Sequence, residues 1–258
     1  MKNRITALFQ KQNKNILSVF YTGGFPRLND TIIIAQQLQK SGVEIIEIGI
    51  PFSDPVADGP TIQDSNKVAL DNGMTLPLLI SQIKEIRKTV TLPIILMGYF
   101  NPVMQYGVER FVKDASAAGV DGLILPDMPL HEFTEKYKDL FDQYNLSNTF
   151  LIAPTTSAER IQQIDHASEG FIYAVAASST TGARSDFAPE QITYFEKLQN
   201  SKLKNPFLIG FGISNRATFS KAAEYGAGAI VGSAFVQLLK TSSDFEKDIP
   251  SFVKNIKG

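Results

Sequence analysis

Short runs of β-branched and aromatic residues alternate with longer amphipathic segments along the whole chain. Because each amphipathic segment would return the chain to the start of the next strand, this alternation predicts parallel strand pairing. The predicted strands are Ile16–Thr22, Val43–Ile48, Pro93–Tyr99, Val120–Leu125, Asn148–Ala153, Gly170–Val175, Pro206–Gly210 and Ala227–Gly232. The predicted helices are Asp30–Lys40, Leu76–Lys88, Val108–Ala118, Glu132–Tyr144, Ala158–Ala167, Pro189–Gln199 and Asn215–Tyr225.

Eight strand–helix repeats without a linker-like segment favour one closed α/β structure. The chain has 258 residues, close to the roughly 250 of a single (β/α)8 barrel. We therefore predict a TIM barrel that forms a single domain over residues 1–258, with one extra helix at the N-terminus. An open, doubly wound sheet is the alternative, but it usually has fewer strands, and no Gly-x-Gly-x-x-Gly follows the first predicted strand.

Individual residues indicate where the helices begin and end. Gly42, Gly119 and Gly226 each stand at the end of a predicted helix, where glycine tolerates the left-handed conformation of a C-cap. Ser157 and Ser214 precede helical segments, as N-cap residues do.

The charge balance and the missing residue types exclude several kinds of function. With 25 Lys and Arg against 26 Asp and Glu, the chain lacks the excess of cations that nucleic acids and anionic membrane surfaces require. It contains no cysteine, which excludes thiolate zinc sites and cysteine nucleophiles, and its two histidines, His131 and His166, are far apart. We predict no metal site. Residues 1–12 have no apolar signal-peptide core and no run reaches 18 apolar residues, so we expect a cytoplasmic protein.

Two unusually long segments follow predicted strands. They are Gly49–Pro60 and Ala176–Pro189. Both leave the C-terminal ends of strands, the face where barrel enzymes keep their active sites. Long ordered loops in compact domains are commonly lids or binding loops.

Glu47 stands near the end of the second predicted strand. Side chains alternate across a strand, so Val43, Ile45 and Glu47 share one face. Either assignment of the two faces surrounds Glu47 with apolar neighbours, and burial raises the pKa of a carboxyl group towards the range of a general acid. The alternative is a structural ion pair with a lysine or arginine.

The loop after this strand holds a second candidate, Asp58, together with Asp54. Pro51, Pro55 and Pro60 restrict the loop backbone and lower the entropy lost when it becomes ordered. Asp58 is then either a carboxylate poised over the barrel mouth opposite Glu47, or the cap of a helix that begins near residue 61.

Residues 46–63 read Ile-Glu-Ile-Gly-Ile-Pro-Phe-Ser-Asp-Pro-Val-Ala-Asp-Gly-Pro-Thr-Ile-Gln. This stretch resembles the signature of the tryptophan synthase alpha subunit family. The resemblance continues in the same order through Phe25-Pro26, Tyr99-Phe100-Asn101-Pro102, Thr181-Gly182, Gly210-Phe211-Gly212-Ile213-Ser214 and Gly232-Ser233-Ala234. It therefore covers essentially the whole chain.

The resemblance implies a lyase of tryptophan biosynthesis that cleaves indole-3-glycerol phosphate to indole and glyceraldehyde 3-phosphate. It implies that Glu47 transfers protons and that Asp58 accepts the indole N–H. No metal or organic cofactor is expected in this chain. The resemblance further implies a beta subunit that carries pyridoxal phosphate and receives indole within an alpha2beta2 assembly. Candidate docking segments are the loops Pro51–Pro55, Phe100–Met104 and Asp127–Leu130, whose apolar residues suggest an interface.

Two glycine turns are candidates for holding the phosphate. Gly212, in Gly210-Phe211-Gly212, follows the seventh predicted strand, and Gly232 and Ser233 follow the eighth. These two loops are the usual phosphate site of this barrel class, although the glycines could merely turn the chain. The resemblance adds Thr181 and Gly182 from the sixth loop.

An indole ring needs a flat apolar slot. Phe20, Tyr99, Tyr173 and Phe211 stand at or near the ends of predicted strands and could line the mouth, although each could equally be core packing. Leu125 and Ile152 are candidate aliphatic walls.

Two other functions stay open at this point. One is a different phosphate-binding barrel enzyme, such as a sugar-phosphate epimerase or isomerase, which would share the late glycines but would not need Glu47 joined to the proline-rich loop. The other is a non-catalytic subunit that binds ligand and activates a partner. The presence of both Glu47 and Asp58 argues against it.

Overall fold

The computed structural model describes residues 3–176 and 187–258, and within them short parallel strands form one closed sheet. The strands are β1 (Ile16–Thr22), β2 (Ile45–Gly49), β3 (Ile94–Met97), β4 (Gly122–Ile124), β5 (Ser147–Asn148), β6 (Leu151–Ile152), β7 (Ile172–Val175), β8 (Phe207–Gly210) and β9 (Gly228–Val231). Their order in the sheet is β5-β4-β3-β2-β1-β9-β8-β7-β6.

The sheet closes through residues 147–152, where β5 and β6 are two parts of one extended segment. β5 pairs with β4 and β6 pairs with β7. Between them, Thr149 N donates to Leu123 O (3.0 Å) on one side, and Tyr173 N donates to Phe150 O (3.0 Å) on the other. When β5 and β6 are counted as one strand, the sheet is an eight-stranded barrel, and the predicted (β/α)8 fold is confirmed.

The described helices surround this barrel. They are α1 (Arg4–Lys11), α2 (Asp30–Lys40), α3 (Pro60–Asp71), α4 (Leu76–Ile86), α5 (Phe100–Tyr106), α6 (Val108–Ala118), α7 (Leu130–Glu132), α8 (Lys138–Gln143), α9 (Ala158–Ala167), α10 (Pro189–Asn200), α11 (Arg216–Tyr225), α12 (Ser233–Thr241) and α13 (Phe245–Lys257), with a π-helical turn at Phe133–Tyr137. Four of them, α3, α5, α12 and α13, lie outside the predicted segments, although the capping alternative for Asp58 places a helix start near residue 61. The seven residues of α5 are too few to show a helical period, and α13 contains an internal proline, Pro250, a residue that normally ends a helix.

The predicted N-terminal helix is present and covers the N-terminal end of the barrel. Ile5 of α1 is fully buried and packs into the barrel interior. The Asn3 side chain caps the helix at Ile5 N (2.9 Å) and donates to the main-chain oxygens of Asp121 (2.7 Å) and Asn145 (2.8 Å). Arg4 also pairs with Asp121 at 2.9 Å. These contacts fix α1 across the bottom of the barrel.

Strand alternation separates an inner layer from an outer one. On β2, Ile45 packs in the interior cluster, whereas Ile46 and Ile48 pack in the larger cluster beneath the helices. Glu47 has the parity of Ile45 and therefore points into the barrel.

Most predicted helix ends agree with the structure, with two corrections. Ser157 caps α9, but α11 is capped by Asn215 and not by Ser214. Gly42 and Gly119 have the predicted left-handed φ, whereas Gly226 has a φ of −102°. A Cβ at Gly226 would approach the main-chain oxygen of Phe207 to 2.8 Å, so close packing and not a positive φ explains this glycine. Within the described ranges, no helix combines the length and the apolar character needed to cross a membrane.

Candidate active site

Glu47 is fully buried inside the barrel near the C-terminal end of β2. Its Oε1 accepts a hydrogen bond of 2.6 Å from the hydroxyl of Ser18 on β1. Its Oε2 has no hydrogen-bond partner among the described residues. Burial raises the pKa of Glu47 from its ordinary value of 4.5 to about 7, and the Ser18 hydrogen bond opposes that rise. No described lysine or arginine pairs with Glu47. Within the described residues, the alternative that Glu47 forms a structural ion pair is therefore wrong.

Asp58 lies half-buried in the loop after β2. Its Oδ2 accepts a hydrogen bond of 3.2 Å from the hydroxyl of Tyr99, which in turn accepts one of 2.9 Å from Ala57 N. Burial raises the pKa of Asp58, and the Tyr99 hydrogen bond partly offsets the rise. Helix α3 begins at Pro60 with Gly59 as its N-cap and no side-chain cap, so the helix-cap alternative for Asp58 is wrong.

Tyr99 therefore links the proline-rich loop to the end of β3. Its ring also packs against Phe52 with 5.1 Å between ring centroids. Burial is the main cause that raises the pKa of Tyr99 to about 12, so the phenol stays a hydrogen-bond donor at neutral pH. Tyr99 was predicted to line an indole slot, but in the structure its hydroxyl supports Asp58.

Both carboxylates act on the same buried phenol, that of Tyr173 on β7. Burial raises the pKa of Tyr173 well above 10, and the negative charges of Glu47 and Asp58 raise it further. Because such interactions fall off with distance, Tyr173 marks the space that the two carboxyl groups share.

Glycines on neighbouring strands make room for the aromatic rings around this space. A Cβ on Gly49 would come within 2.7 Å of the Phe20 ring, and a Cβ on Gly210 would come within 2.2 Å of the Tyr173 hydroxyl. Gly232 also lies beneath Phe20, since a Cβ there would be 3.7 Å from its ring. The observed positions of the Phe20 and Tyr173 rings therefore require glycine at the first two positions.

The loop after β8 has an unusual backbone. Phe211 and Gly212 both have left-handed conformations, with φ of 70° and 80°. A positive φ is strained for a bulky residue such as Phe211. It places the Phe211 ring edge-on to Tyr173, with 6.1 Å between centroids.

The loop after β9 leads directly into α12. Gly232 is its N-cap and Ser233 its first residue, and no side chain caps this helix. The oxygen of Gly232 accepts from Phe235 N (2.9 Å) and Val236 N (3.0 Å). Helix geometry leaves the N–H groups of Ser233 and Ala234, which precede these two, without an acceptor inside the helix, as at helix N-termini that bind anions. Because β8 and β9 pair with each other, Gly212 and Gly232 follow adjacent strands of the barrel.

The structure does not bring Leu125 and Ile152 to the site. Both are buried in the outer cluster, beneath the helices. The interior positions belong to the residues one place earlier, Ile124 and Leu151, and to Met97 of β3. A shift of one residue moves a side chain to the opposite face of a strand. Residues two positions apart share a strand face, so counting back from Tyr99 leads to Met97, and counting forward from Gly122 leads to Ile124.

Thr181 and Gly182 lie outside the described residues. Within the described part of the chain, no three His, Asp or Glu side chains are grouped so that they could hold a metal ion.

The segments that follow β2 and β3 at the C-terminal end of the barrel expose apolar side chains, one in a loop and one in α5. Val56 is 85% exposed and Met104 is 49% exposed. A cavity of about 300 Å³ also opens between residues 125–130 and α9, lined by Leu130, Phe150 and Ile164 among others. It is not part of the Glu47 site, because neither Glu47 nor Tyr173 lines it.

The closed parallel barrel, with the buried Glu47 near the end of β2 and glycine turns after the adjacent strands β8 and β9, has the architecture of a (β/α)8-barrel enzyme. A family model described as tryptophan synthase alpha chain matches residues 6–256. The chain belongs to the tryptophan synthase alpha chain family.

Individual relatives agree over their full lengths. The tryptophan synthase alpha chain of Flavobacterium johnsoniae is 52% identical over 255 residues, covering 99% of this chain and 100% of the relative. That of Parabacteroides distasonis is 50% identical over 255 residues, covering 99% of each chain. A crystal structure of tryptophan synthase subunit alpha from Legionella pneumophila has a TM-score of 0.90 at 32% identity and covers 100% of this chain and 98% of that one.

Proposed function

We propose that this chain cleaves indole-3-glycerol phosphate to indole and glyceraldehyde 3-phosphate, with Glu47 as the group that transfers protons. The observation that carries the proposal is a fully buried carboxyl group in the barrel interior whose pKa is about 7. Near neutral pH such a group can both give and take a proton, and a general acid–base works best when its pKa is close to the operating pH.

The chemistry needs one proton in and one proton out. Protonated Glu47 first delivers its proton to C3 of the indole, which leaves a positive charge on the ring nitrogen. Glu47, now ionised, removes the proton from the side-chain hydroxyl. The carbonyl of the aldehyde forms, the carbon–carbon bond at C3 breaks, and its electron pair neutralises the ring. Glu47 ends protonated, as it began, so the cycle needs no organic cofactor in this chain.

Asp58 has the second role in the proposal. Its carboxylate accepts the indole N–H and stabilises the positive charge on the ring after C3 is protonated. The hydrogen bond from Tyr99 (3.2 Å) favours the ionised form of Asp58 and fixes its position. A positioned acid–base or electrostatic group of this kind contributes about 10²–10⁴ in rate.

The substrate would lie across the mouth between aromatic rings and glycine turns. Phe20, Tyr173 and Phe211 form the apolar slot for the indole. The phosphate would bind the backbone N–H groups at Gly212, Gly232 and Ser233, where the first turn of α12 favours an anion. Thr181 and Gly182 stay predicted contributors from the sixth loop.

We further propose that a beta subunit with pyridoxal phosphate takes up the indole in an alpha2beta2 assembly. Free indole is apolar, so direct transfer would prevent its loss. The docking surface would be the loop that carries Val56 and the helix α5 that carries Met104, together with residues 127–130. Val56 and Met104 are the described large apolar side chains at this end that are most exposed. Cytoplasmic location stays a prediction.

The test is incubation of the isolated chain with indole-3-glycerol phosphate, with and without a beta subunit, while indole and glyceraldehyde 3-phosphate are measured. The wild-type chain should release both products in equal amounts. Glu47→Gln should bind the substrate but release no indole. Indole release by this variant at the wild-type rate would refute the role of Glu47, and a wild-type chain that binds substrate without cleaving it would indicate a non-catalytic subunit.

A further inference from the structure

The hydrogen bond between Ser18 and Glu47 joins two fully buried side chains on adjacent strands. Ser18 lies opposite Ile45 and Phe20 lies opposite Glu47 in the strand register. Ser18 is therefore one interior layer closer to the N-terminal end of the barrel than Glu47. Its hydroxyl reaches the carboxyl group from the side away from the mouth, and the distance of 2.6 Å is typical of a strong O–H···O bond to a carboxylate.

The two oxygens of Glu47 consequently have different surroundings. Oε1 accepts from Ser18, whereas Oε2 is buried without a partner among the described residues. A proton on Oε1 would compete with the serine hydrogen for the same short contact. A proton on Oε2 leaves the serine bond intact in both protonation states of the carboxyl group.

We propose that Ser18 is a positioning residue for the cleavage reaction, because its bond to Oε1 makes Oε2 the oxygen that carries the transferable proton. This inference rests on the proposed function of Glu47. Ser18 does not contact the reacting atoms; it acts through the carboxyl group and keeps one defined oxygen available for both proton transfers.

The same bond affects the acidity of Glu47. The serine hydroxyl binds the ionised carboxylate more strongly than the neutral acid, so it lowers the pKa that burial raises. The other titratable groups that face this space are Tyr173 from β7 and Asp58 from the loop after β2. The partner of Glu47 on β3 is the apolar Ile95. Ser18 is thus the described side chain that favours ionisation of Glu47.

Replacement of Ser18 should therefore change the titration of Glu47 in a defined direction. In Ser18→Ala the ionised form loses more than the neutral form, and the pKa should rise by about one pH unit. Because the first step needs protonated Glu47, the activity limb that falls at high pH should move up by the same amount. The loss of a fixed proton position should lower kcat about tenfold, with little change in KM.

The titration can be measured without the reaction. Infrared difference spectra of the ligand-free protein contain a protonated-carboxyl band from Glu47, identified by its absence in Glu47→Gln. Its midpoint should lie near pH 7 in the wild type and about one unit higher in Ser18→Ala. Ser18→Thr retains the hydroxyl and should restore the wild-type midpoint. Ser18→Cys has nearly the volume of serine but a weaker hydrogen-bond donor, so it should shift the Glu47 midpoint in the same direction as Ser18→Ala. The cysteine variant replaces the alanine variant in the test if Ser18→Ala does not fold.

Thr22→Val is the matched control. Thr22 is a buried hydroxyl on the same face of β1, but it bonds to Ser65 (2.7 Å) and not to Glu47. This variant should leave the Glu47 midpoint unchanged. An unshifted midpoint in both Ser18→Ala and Ser18→Cys, or an equal shift in Thr22→Val, would overturn the role of Ser18. A wild-type chain that makes no indole would instead refute the proposed function, while the infrared titration would still report on the hydrogen bond.

Discussion

Replacing Glu47 by glutamine should make the protein inactive and should increase its stability relative to the wild type as the pH rises through neutrality. Glutamine has nearly the same shape as glutamic acid but cannot ionise. In the folded chain, burial raises the pKa of Glu47 from 4.5 to about 7. In the unfolded chain, the group is expected to titrate near its ordinary value. Between these two pH values the native state holds a proton that the unfolded state has released.

The sign of the effect follows from this difference in bound protons. Native Glu47 binds more protons than unfolded Glu47 from about pH 4.5 to about pH 7, so the free energy of unfolding falls as the pH rises through that window. The contribution is fully present below the unfolded pKa and is lost above the folded one. A difference of about 2.5 pH units corresponds to roughly 3 kcal/mol at 1.36 kcal/mol per unit.

Urea denaturation of the wild type and Glu47→Gln at about pH 5 and about pH 8 measures this quantity. The stability of the glutamine variant relative to the wild type should be greater at the higher pH by about 2–3 kcal/mol. Other titrating groups are common to both proteins and cancel in this double difference. Stability curves that run parallel between the two pH values would show that Glu47 titrates normally in the folded chain, and the acid–base assignment would lose its physical basis.

Further predictions concern the groups around Glu47. Asp58→Asn should lower kcat/KM for indole release about 10²–10⁴-fold, and normal activity would remove Asp58 from the mechanism. Tyr99→Phe removes the hydrogen bond of 3.2 Å to Asp58, so the pKa of Asp58 should rise and the low-pH limb of kcat/KM should move up; an unchanged limb would contradict this role. Gly210→Ala introduces a Cβ 2.2 Å from the Tyr173 hydroxyl, so the ring must move and KM in steady-state assays should rise without loss of the folded state by circular dichroism. In wild-type pH profiles, the high-pH limb of kcat should lie above that of kcat/KM, because the bound phosphate dianion raises the pKa of Glu47; coincident limbs would contradict this.

The closed barrel and the position of Glu47 could be predicted from the sequence because both depend on simple periodicities. The strand–helix alternation requires parallel pairing, and the parity of Val43, Ile45 and Glu47 puts the carboxyl group on one strand face with apolar neighbours. The structure adds that this face is the interior. Ser18 gave no such signal, since a serine within an apolar run indicates nothing until the strand beside it is known.

The errors arose where a single residue or a short element decides the result. Leu125 and Ile152 are one place away from the interior residues Ile124 and Leu151, and strand ends are hard to fix to one residue. The support of Asp58 by Tyr99 joins residues 41 positions apart. Local sequence could not reveal it, because the pairing of β2 with β3 brings the two segments together.

The order of the strands in the barrel explains how one end of the barrel can hold two carboxylates and the phosphate of the proposed substrate. The site residues lie on, or directly after, the contiguous strands β3, β2, β1, β9, β8 and β7. Glu47 and the Asp58 loop belong to β2, and Tyr99 follows its neighbour β3, whereas the glycine turns end β8 and β9. β1 lies between β2 and β9 and contributes Phe20, whose ring contacts Gly49 on one side and Gly232 on the other. The Phe20 ring therefore lies between the strand that carries Glu47 and the strand that leads to the proposed phosphate site. In the proposed binding mode, the phosphate of the substrate binds the N–H groups at the start of α12, while the indole N–H of the same substrate reaches Asp58. The phosphate and the Asp58 carboxylate then lie at opposite ends of the substrate. The bond that is cleaved lies between these ends, at Glu47.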